Sequence, residues 1–164
     1  MTASGTTPLQ LVDVAAAQAF WQAHKQSHGL GDSLTNVGAF QFGDSHELAD
    51  ELADLVVNGP KRATCGPIAE IETAGDPLPA VGDYWIVCDG GGRPVAVVRT
   101  TGVRVGPLSS VDDQFAWDEG EGDRSRAFWL DAHTKAFTRI FTAMDRADEM
   151  HPDVEVVFER FELL

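Results

Sequence analysis

The chain has 164 residues, the length of one domain, and its 43% hydrophobic content is enough to form a core. It carries 26 acidic and 12 basic residues, a formal net charge of -14. Proteins that bind a long phosphate backbone usually present a basic surface. The negative charge therefore disfavours a long nucleic acid as the ligand and favours a small ligand in a pocket. There is no membrane-length apolar run and no signal-peptide pattern at residues 1–8, so we predict a cytoplasmic protein with no membrane partner.

Two helices are predicted in the first third of the chain. Asp13 has the position of an N-cap for a helix over residues 14 to about 24, in which apolar residues recur at three- and four-residue steps. After a turn-rich loop with a short strand around 39–42, Asp44 and Glu47 have capping-box spacing. They predict a second helix, which Gly59-Pro60 ends.

Short extended runs follow, joined by turn sequences that contain glycine, aspartate and proline. This spacing predicts neighbouring antiparallel strands that form a small curved sheet or barrel. One long helix, from 124 to about 146, interrupts the strands and has an apolar stripe. The predicted strands are residues 62–68, 84–89, 95–105 and 154–163.

The acidic, glycine-rich segment Glu119-Gly120-Glu121-Gly122-Asp123 is the strongest local signal of a site. Two glycines between three acids make a bendable backbone that can place a carboxylate at a helix end. Asp123 is predicted to cap the long helix and Glu121 to be solvated, which leaves Glu119 as the candidate site residue. The acids before this segment, Asp112, Asp113 and Asp118, are interpreted as a solvated loop.

Lys61 and Thr64 lie where the second helix stops and the first long strand begins, so rigid elements flank both residues. A lysine and a hydroxyl can perform acyl transfer if a base activates the hydroxyl, and a carboxylate such as Glu119 can orient the lysine. The alternative is a solvated lysine beside an ordinary strand threonine.

Aromatic and basic residues offer candidate substrate contacts. Trp129 and His133, four residues apart on one helix face, either line the core or form the wall of a site for a flat ring. Trp117 can stack on a base. Four arginines are candidates for a local positive rim of the site: Arg99, Arg104, Arg124 and Arg126. The alternative is that they are ordinary surface arginines.

No cofactor and no metal are predicted. Cys65 and Cys88 lack metal-ligand spacing and are expected to be buried free thiols. Carboxylates are suitable ligands for Mg²⁺ or Mn²⁺, which remains a minor alternative. The acidic segment does not match a calcium-binding loop, because its glycines fall at the wrong positions.

Three groups of residues together resemble the ASCH family of the PUA-like superfamily. These are Gly59-Pro60-Lys61-Arg62-Ala63-Thr64, then Gly82-Asp83 before a strand, and Phe115 to Asp123 with Trp129 and His133. The resemblance implies an α+β fold, a small PUA-like antiparallel β-barrel with flanking helices, over residues 39–164. Residues 1–38 fall outside it and are interpreted as an N-terminal helical extension.

The resemblance also implies a choice of functions. Some small ASCH proteins are amidohydrolases that remove the acetyl group of N4-acetylcytidine with a lysine, a threonine and a glutamate, which match Lys61, Thr64 and Glu119 here. Other members bind RNA or act as ribonucleases. The acidic charge opposes a polyanion but tolerates a nucleoside, so we predict deacylation of a small modified nucleoside, with single-stranded RNA binding or cleavage as the alternative. The predicted substrate-binding residues are Arg62, Arg99, Trp117, Trp129 and His133.

Overall fold

The computed structural model describes residues 7–31, 34 and 37–164, and these residues form an α+β fold, as predicted. Five helices are described: α1 (Val14–His28), α2 (His46–Val57), α3 (Ile68–Ala74), α4 (Asp113–Glu119) and α5 (Arg126–Ala143). Five strands are described: β1 (Gly38–Gln41), β2 (Ala63–Pro67), β3 (Tyr84–Cys88), β4 (Pro94–Pro107) and β5 (Glu155–Leu163). None of the described helices is long and apolar enough to cross a bilayer.

The five strands form one sheet in the order β1-β3-β4-β5-β2. β3 pairs with β4 and β2 with β5 in antiparallel registers, with Tyr84 opposite Arg99 and Ala63 opposite Arg160. β1 instead runs parallel to β3, with Gly38 opposite Trp85, so the expectation of a purely antiparallel sheet is wrong at this edge. The connection between these two strands contains α2 and β2, and parallel neighbours need such a crossover, whereas a hairpin gives antiparallel ones.

The described chain groups into two compact units. The first contains the residues up to 59 together with 83–99 and 162–164, and the second contains 60–82 and 100–161. In the first unit α1 contacts β3, and Trp21 of α1 is fully buried and donates from Nε1 to the carbonyl of Leu34 at 3.2 Å.

An aromatic core organises the second unit. Phe115 of α4 packs edge-on against Phe158 of β5 at 5.0 Å and against Trp129 of α5 at 6.1 Å, between ring centroids. Edge-to-face aromatic pairs of this kind stabilise beyond the area they bury. This core therefore joins the helix that carries Glu119 to the helix that carries His133.

The first two helices begin where local hydrogen bonds satisfy their free N–H groups. Asp13 accepts from the backbone N–H of Ala16 at 2.9 Å, which confirms it as the cap of α1. α2 is capped by Ser45, which accepts from the N–H of Leu48 at 3.2 Å, so the prediction of Asp44 was wrong by one residue. A side-chain cap must lie directly before the first helical residue, and α2 starts at His46.

The long helix α5 is capped by Ser125, whose hydroxyl accepts from the N–H of Phe128 at 3.1 Å. The assignment of this role to Asp123 was wrong. Asp123 instead accepts from the backbone N–H of Ser125 at 2.8 Å, and Arg124 between them has a left-handed φ of 63°. The chain therefore makes a tight turn before α5 begins.

Two helices of seven residues each, α3 and α4, were not predicted. α4 lies where a solvated acidic loop was expected. Asp112 caps it by accepting from the N–H of Phe115 at 2.7 Å, while Phe115 and Ala116 are buried. Its acids therefore cap or flank a packed helix, and Asp118 lies 3.1 Å from Arg160 Nε.

Candidate active site

Lys61 is the buried centre of the candidate site. Its side chain is 1% exposed, and its Nζ donates to the carbonyl of Ala63 at 2.9 Å and to Glu121 Oε1 at 2.6 Å. A buried ammonium is tolerated only where charges and acceptors compensate its lost hydration. The alternative of a solvated lysine is therefore wrong.

Glu119, the last residue of α4, is also 1% exposed. Its Oε2 lies 3.8 Å from Lys61 Nζ and 3.2 Å from His133 Nε2. The His133 contact has the length of a hydrogen bond but not its direction, so we treat it as an ion pair. Burial by itself raises the pKa of the Glu119 carboxyl, but the charges of Lys61 and His133 bring that pKa below its ordinary value.

Glu121 was expected to be solvated, and this expectation was wrong. Its side chain is 20% exposed, and its Oε1 lies 2.6 Å from Lys61 Nζ, closer than Glu119 Oε2 at 3.8 Å. Two carboxylates therefore share Lys61, one fully buried and one that reaches solvent. The sequence did contain a signal for this arrangement, because a glycine between two acids lets the chain turn around a single point.

Gly120 makes that turn possible. Its φ is 70°, and a Cβ at this position would lie 2.9 Å from Pro60 Cγ and 3.0 Å from the backbone nitrogen of Lys61. The N–H of Arg62 also donates to the carbonyl of Asp118 at 2.8 Å. Because the end of α4 lies directly against the chain at Pro60 to Arg62, only glycine fits here.

Trp129 and His133 stack on each other at 3.8 Å between ring centroids, with 14° between their planes. Trp129 is 2% exposed and belongs to the aromatic core, so it has the core-lining position that was one of the two alternatives. His133 is 11% exposed and its Nδ1 lies 2.9 Å from the carbonyl of Trp129. Burial by itself lowers the pKa of His133, but the negative charge of Glu119 raises it above the ordinary value.

Thr64 is the second residue of β2, opposite Glu159 of β5. Ala63 belongs to the aromatic core and Cys65 packs against it. Because side chains alternate along a strand, Thr64 lies on the other face of β2, the face that also carries Glu159. Glu159 accepts a hydrogen bond from the hydroxyl of Thr100 at 2.6 Å.

Trp117 is 53% exposed and has an arginine over its ring. The guanidinium of Arg124 lies 3.7 Å from the ring centroid, and Arg124 Nε donates to the carbonyl of Trp117 at 2.9 Å. The pair forms an exposed flat surface beside the turn that carries Glu121. An aromatic ring of this exposure is suited to stacking on a planar ligand.

The other arginines of the predicted rim contact the protein itself. Arg104 lies over the ring of Phe158 at 4.0 Å, and Arg126 donates to the carbonyls of Val111 and Ser109. Arg99, in the first unit, pairs with Glu162. Arg62, which was predicted to bind substrate and not to belong to the rim, donates from Nη1 to the carbonyl of Lys61 at 2.6 Å.

The two cysteines are free, as predicted, with Cys88 buried and Cys65 partly buried. Burial raises the pKa of Cys88 to about 11. Burial and the charge of Glu119 hold the pKa of Cys65 well above its ordinary value. Within residues 7–31, 34 and 37–164, no three His, Cys, Asp or Glu side chains are grouped so that they could hold a metal ion.

A profile of the ASCH domain matches residues 38–164. The chain belongs to the ASCH domain family. The resemblance identified from the motifs around Lys61 and Glu119 is therefore confirmed, and the family places the chain in a superfamily of RNA-binding and hydrolase-like proteins.

Two solved structures are similar to this ASCH chain over most of their length. An ASCH domain from Lactobacillus crispatus JV V101 is 29% identical, with a TM-score of 0.82, over 91% of this chain and 94% of that one. A protein from Enterococcus faecalis V583 is 31% identical, with a TM-score of 0.81, over 92% of this chain and 89% of that one. The PUA-like fold is confirmed by these neighbours, while no curated protein matches the chain.

Proposed function

We propose that this ASCH protein is an amidohydrolase that deacylates a small modified nucleoside such as N4-acetylcytidine. The main observation in support is the buried ammonium of Lys61, which lies 2.6 Å from Glu121 Oε1. The Glu121 carboxylate is itself partly open to solvent. A short contact between a base and an acid provides a path for a proton, and buried ionisable groups concentrate at functional sites. We propose that the reaction takes place in the cytoplasm. The proposed catalytic domain spans residues 39–164, with residues 1–38 as an N-terminal helical extension.

In the proposed reaction, Lys61 first passes a proton to Glu121. The hydroxyl of Thr64 attacks the amide carbonyl and gives its proton to the neutral Lys61. The C–N bond breaks, the acyl group stays on Thr64 as an ester, and the amine leaves with the proton from Glu121. Water then hydrolyses the ester, which releases the carboxylic acid and restores Thr64.

Glu119 has a different role in this proposal from Glu121. It is fully buried and ion-paired with both Lys61 and His133, so it orients the lysine and does not exchange protons with substrate. This divides between two glutamates the work that the motif alone assigned to Glu119. Lys61 lies within the buried charge cluster, whereas Thr64 lies on the face of β2 that also carries Glu159.

The base of the nucleoside is proposed to stack on Trp117. This ring is the exposed one of the two tryptophans in the site region, whereas Trp129 is covered. The Arg124 guanidinium at 3.7 Å holds the indole in place and adds a positive charge next to the ligand. Arg62 stays in the proposed set of substrate-binding residues, whereas both ring nitrogens of His133 face oxygen atoms of the protein.

Incubation of the purified protein with N4-acetylcytidine tests the proposal, with cytidine and acetate measured as products. Lys61→Ala, Thr64→Ala and Glu121→Gln should each lower kcat/KM by about 100-fold or more, the usual effect of losing a nucleophile or general base. Trp117→Ala should raise KM and leave kcat nearly unchanged, because stacking binds ground and transition states alike. Lys135→Ala, at an exposed pair with Asp131, is the matched control and should retain activity.

The alternative function is single-stranded RNA binding or cleavage. The observation that favours it is again the Trp117–Arg124 stack, an arrangement that also suits the bases of an RNA strand. Labelled single-stranded RNA, with and without Mn²⁺, distinguishes the two functions. Salt-sensitive retention or cleavage of RNA, together with intact N4-acetylcytidine, would reject the amidohydrolase.

A further inference from the structure

Both ring nitrogens of His133 face oxygen atoms. Nδ1 lies 2.9 Å from the carbonyl of Trp129, and Nε2 lies 3.2 Å from Glu119 Oε2. A neutral imidazole has one N–H and one lone pair, so it can donate to only one of these oxygens. Only the doubly protonated ring donates to the Trp129 carbonyl and also presents a positively charged N–H, and not a lone pair, to the ionised carboxylate of Glu119.

The charges around the ring favour that state. Glu119 faces His133 from α4, Glu121 adds a second negative charge from the following turn, and Lys61 is the cation that shares Glu119 Oε2 with His133. With His133 protonated, the group contains two cations and two carboxylates. With His133 neutral, Lys61 alone would face two carboxylates, and a net negative charge would be left in a buried place.

We propose that His133 is a permanent imidazolium ion at neutral pH, which holds Glu119 ionised and so frees Lys61 to pair with Glu121. His133 is thus a positioning residue that acts through Glu119. The distances agree with this division, since Lys61 Nζ is 2.6 Å from Glu121 but 3.8 Å from Glu119. The catalytic consequence rests on the proposed function, whereas the charge of the ring does not.

A competing state has the same number of protons. In it, the proton lies on Glu119 and His133 is neutral. The ammonium of Lys61 at 3.8 Å opposes this state, because a nearby positive charge stabilises the carboxylate form of Glu119. The two states differ at the ring nitrogens, where they can be observed directly.

Long-range ¹H–¹⁵N correlation spectra of the ¹⁵N-labelled, full-length protein provide the test. The signals of His133 are assigned by their loss in His133→Gln. Both His133 nitrogens should have the shifts of an imidazolium ion from about pH 6 to about pH 8, the range in which an ordinary histidine titrates. His24 is the internal control, since burial and His28 lower its pKa and it should be neutral at about pH 7. One unprotonated His133 nitrogen at about pH 7 would overturn the proposal.

Substitution of each neighbouring carboxylate shows which negative charge keeps His133 protonated. Glu119→Gln should lower the midpoint of the His133 titration by about one to three pH units, the effect of removing a close opposite charge. Glu121→Gln should leave the ring protonated at neutral pH. An unchanged titration in Glu119→Gln would reject the role of Glu119, and if that variant does not fold, the wild-type spectrum alone decides the charge of the ring. These spectra need no substrate, so failure of the amidohydrolase assay and failure of this proposal are separate outcomes.

Discussion

Lys61 is the residue on which the stability of the site region depends most directly. Lys61→Met removes the cation and leaves Glu119 and Glu121 without it, so we expect the free energy of unfolding to fall by about 3–5 kcal/mol, as when one partner of a buried pair is lost. Urea unfolding measures this loss. Adding Glu119→Gln should recover part of it, because the unpaired buried charge is then removed.

The matched control is Lys135→Met. Lys135 Nζ lies 2.7 Å from Asp131 Oδ2, and both side chains are about two-thirds exposed. Exposed ion pairs of this type contribute roughly 0–1 kcal/mol to the free energy of unfolding. Equal stability of the Lys61 and Lys135 variants would contradict the assignment of Lys61 to a buried charge cluster.

The pH dependence of stability follows from the two shifted groups. The pKa of Glu119 is lowered, so its contribution is present above the ordinary carboxyl value and is lost as pH falls through the folded value. The pKa of His133 is raised, so its contribution is complete below the ordinary histidine value and is lost as pH rises through the folded value. The pair should stabilise the protein most between about pH 4.5 and about pH 6.5.

Thermal unfolding of wild type and His133→Gln over a pH series measures this dependence. The difference in stability between the two should be largest in that window and should shrink at alkaline pH, because His133 then loses its proton in the folded protein as well. A difference that stays constant into the alkaline range would show that the ring stabilises the fold by packing and not by charge.

At the scale of elements, the end of α4 depends on Gly120. Gly120→Ala forces a left-handed φ on a residue with a side chain, which costs about 1–2 kcal/mol, and also pushes its Cβ into the backbone of Pro60 and Lys61. Gly75→Ala is the matched control, because Gly75 has a φ of 76° but open space around its Cβ position. Chemical unfolding should show a clearly larger loss for Gly120→Ala. Equal losses would mean that the close approach to Pro60 is not needed.

Elements with a long or regular pattern were predictable from the sequence. α1, α2 and α5 each have several turns, so helical periodicity identifies them, and the turn residues that bound β2 to β5 identify these strands. α3 and α4 have only seven residues, too few turns for a periodic stripe to stand out. The caps of α2 and α5 were misplaced because several polar residues compete within each short stretch and tertiary packing selects one of them.

The composition of the site was predictable only in part. The motifs identified Lys61 and Glu119, but Glu121 lies 60 residues from Lys61 in the chain. The glycine between Glu119 and Glu121 indicates a turn, but not that the turn lies against Lys61. The charge of Glu121 made solvation the natural expectation. The ion pair that replaces solvation depends on how α4 docks against the segment before β2.

At the scale of the whole molecule, the net charge of -14 makes salt a discriminating variable. A neutral nucleoside binds without displacing counterions, so its KM should change little between about 50 mM and about 200 mM salt. RNA binding would weaken steeply over the same range. Steady-state kinetics at the two salt concentrations check this expectation, and a KM that rises several-fold with salt would indicate an anionic substrate.

The pairing of β2 with β5 also has a consequence for synthesis on the ribosome. Ala63 pairs with Arg160, 97 residues later in the chain, and the helices α4 and α5 that carry Glu119 and His133 lie between them in the sequence. Closing so long a loop makes this contact a late event in folding. Lys61 is synthesised early, but β2 beside it gains its partner only when β5 has been made. A chain arrested before about residue 160 should therefore have a Lys61 ammonium that reacts with acylating reagents, whereas the complete fold protects it.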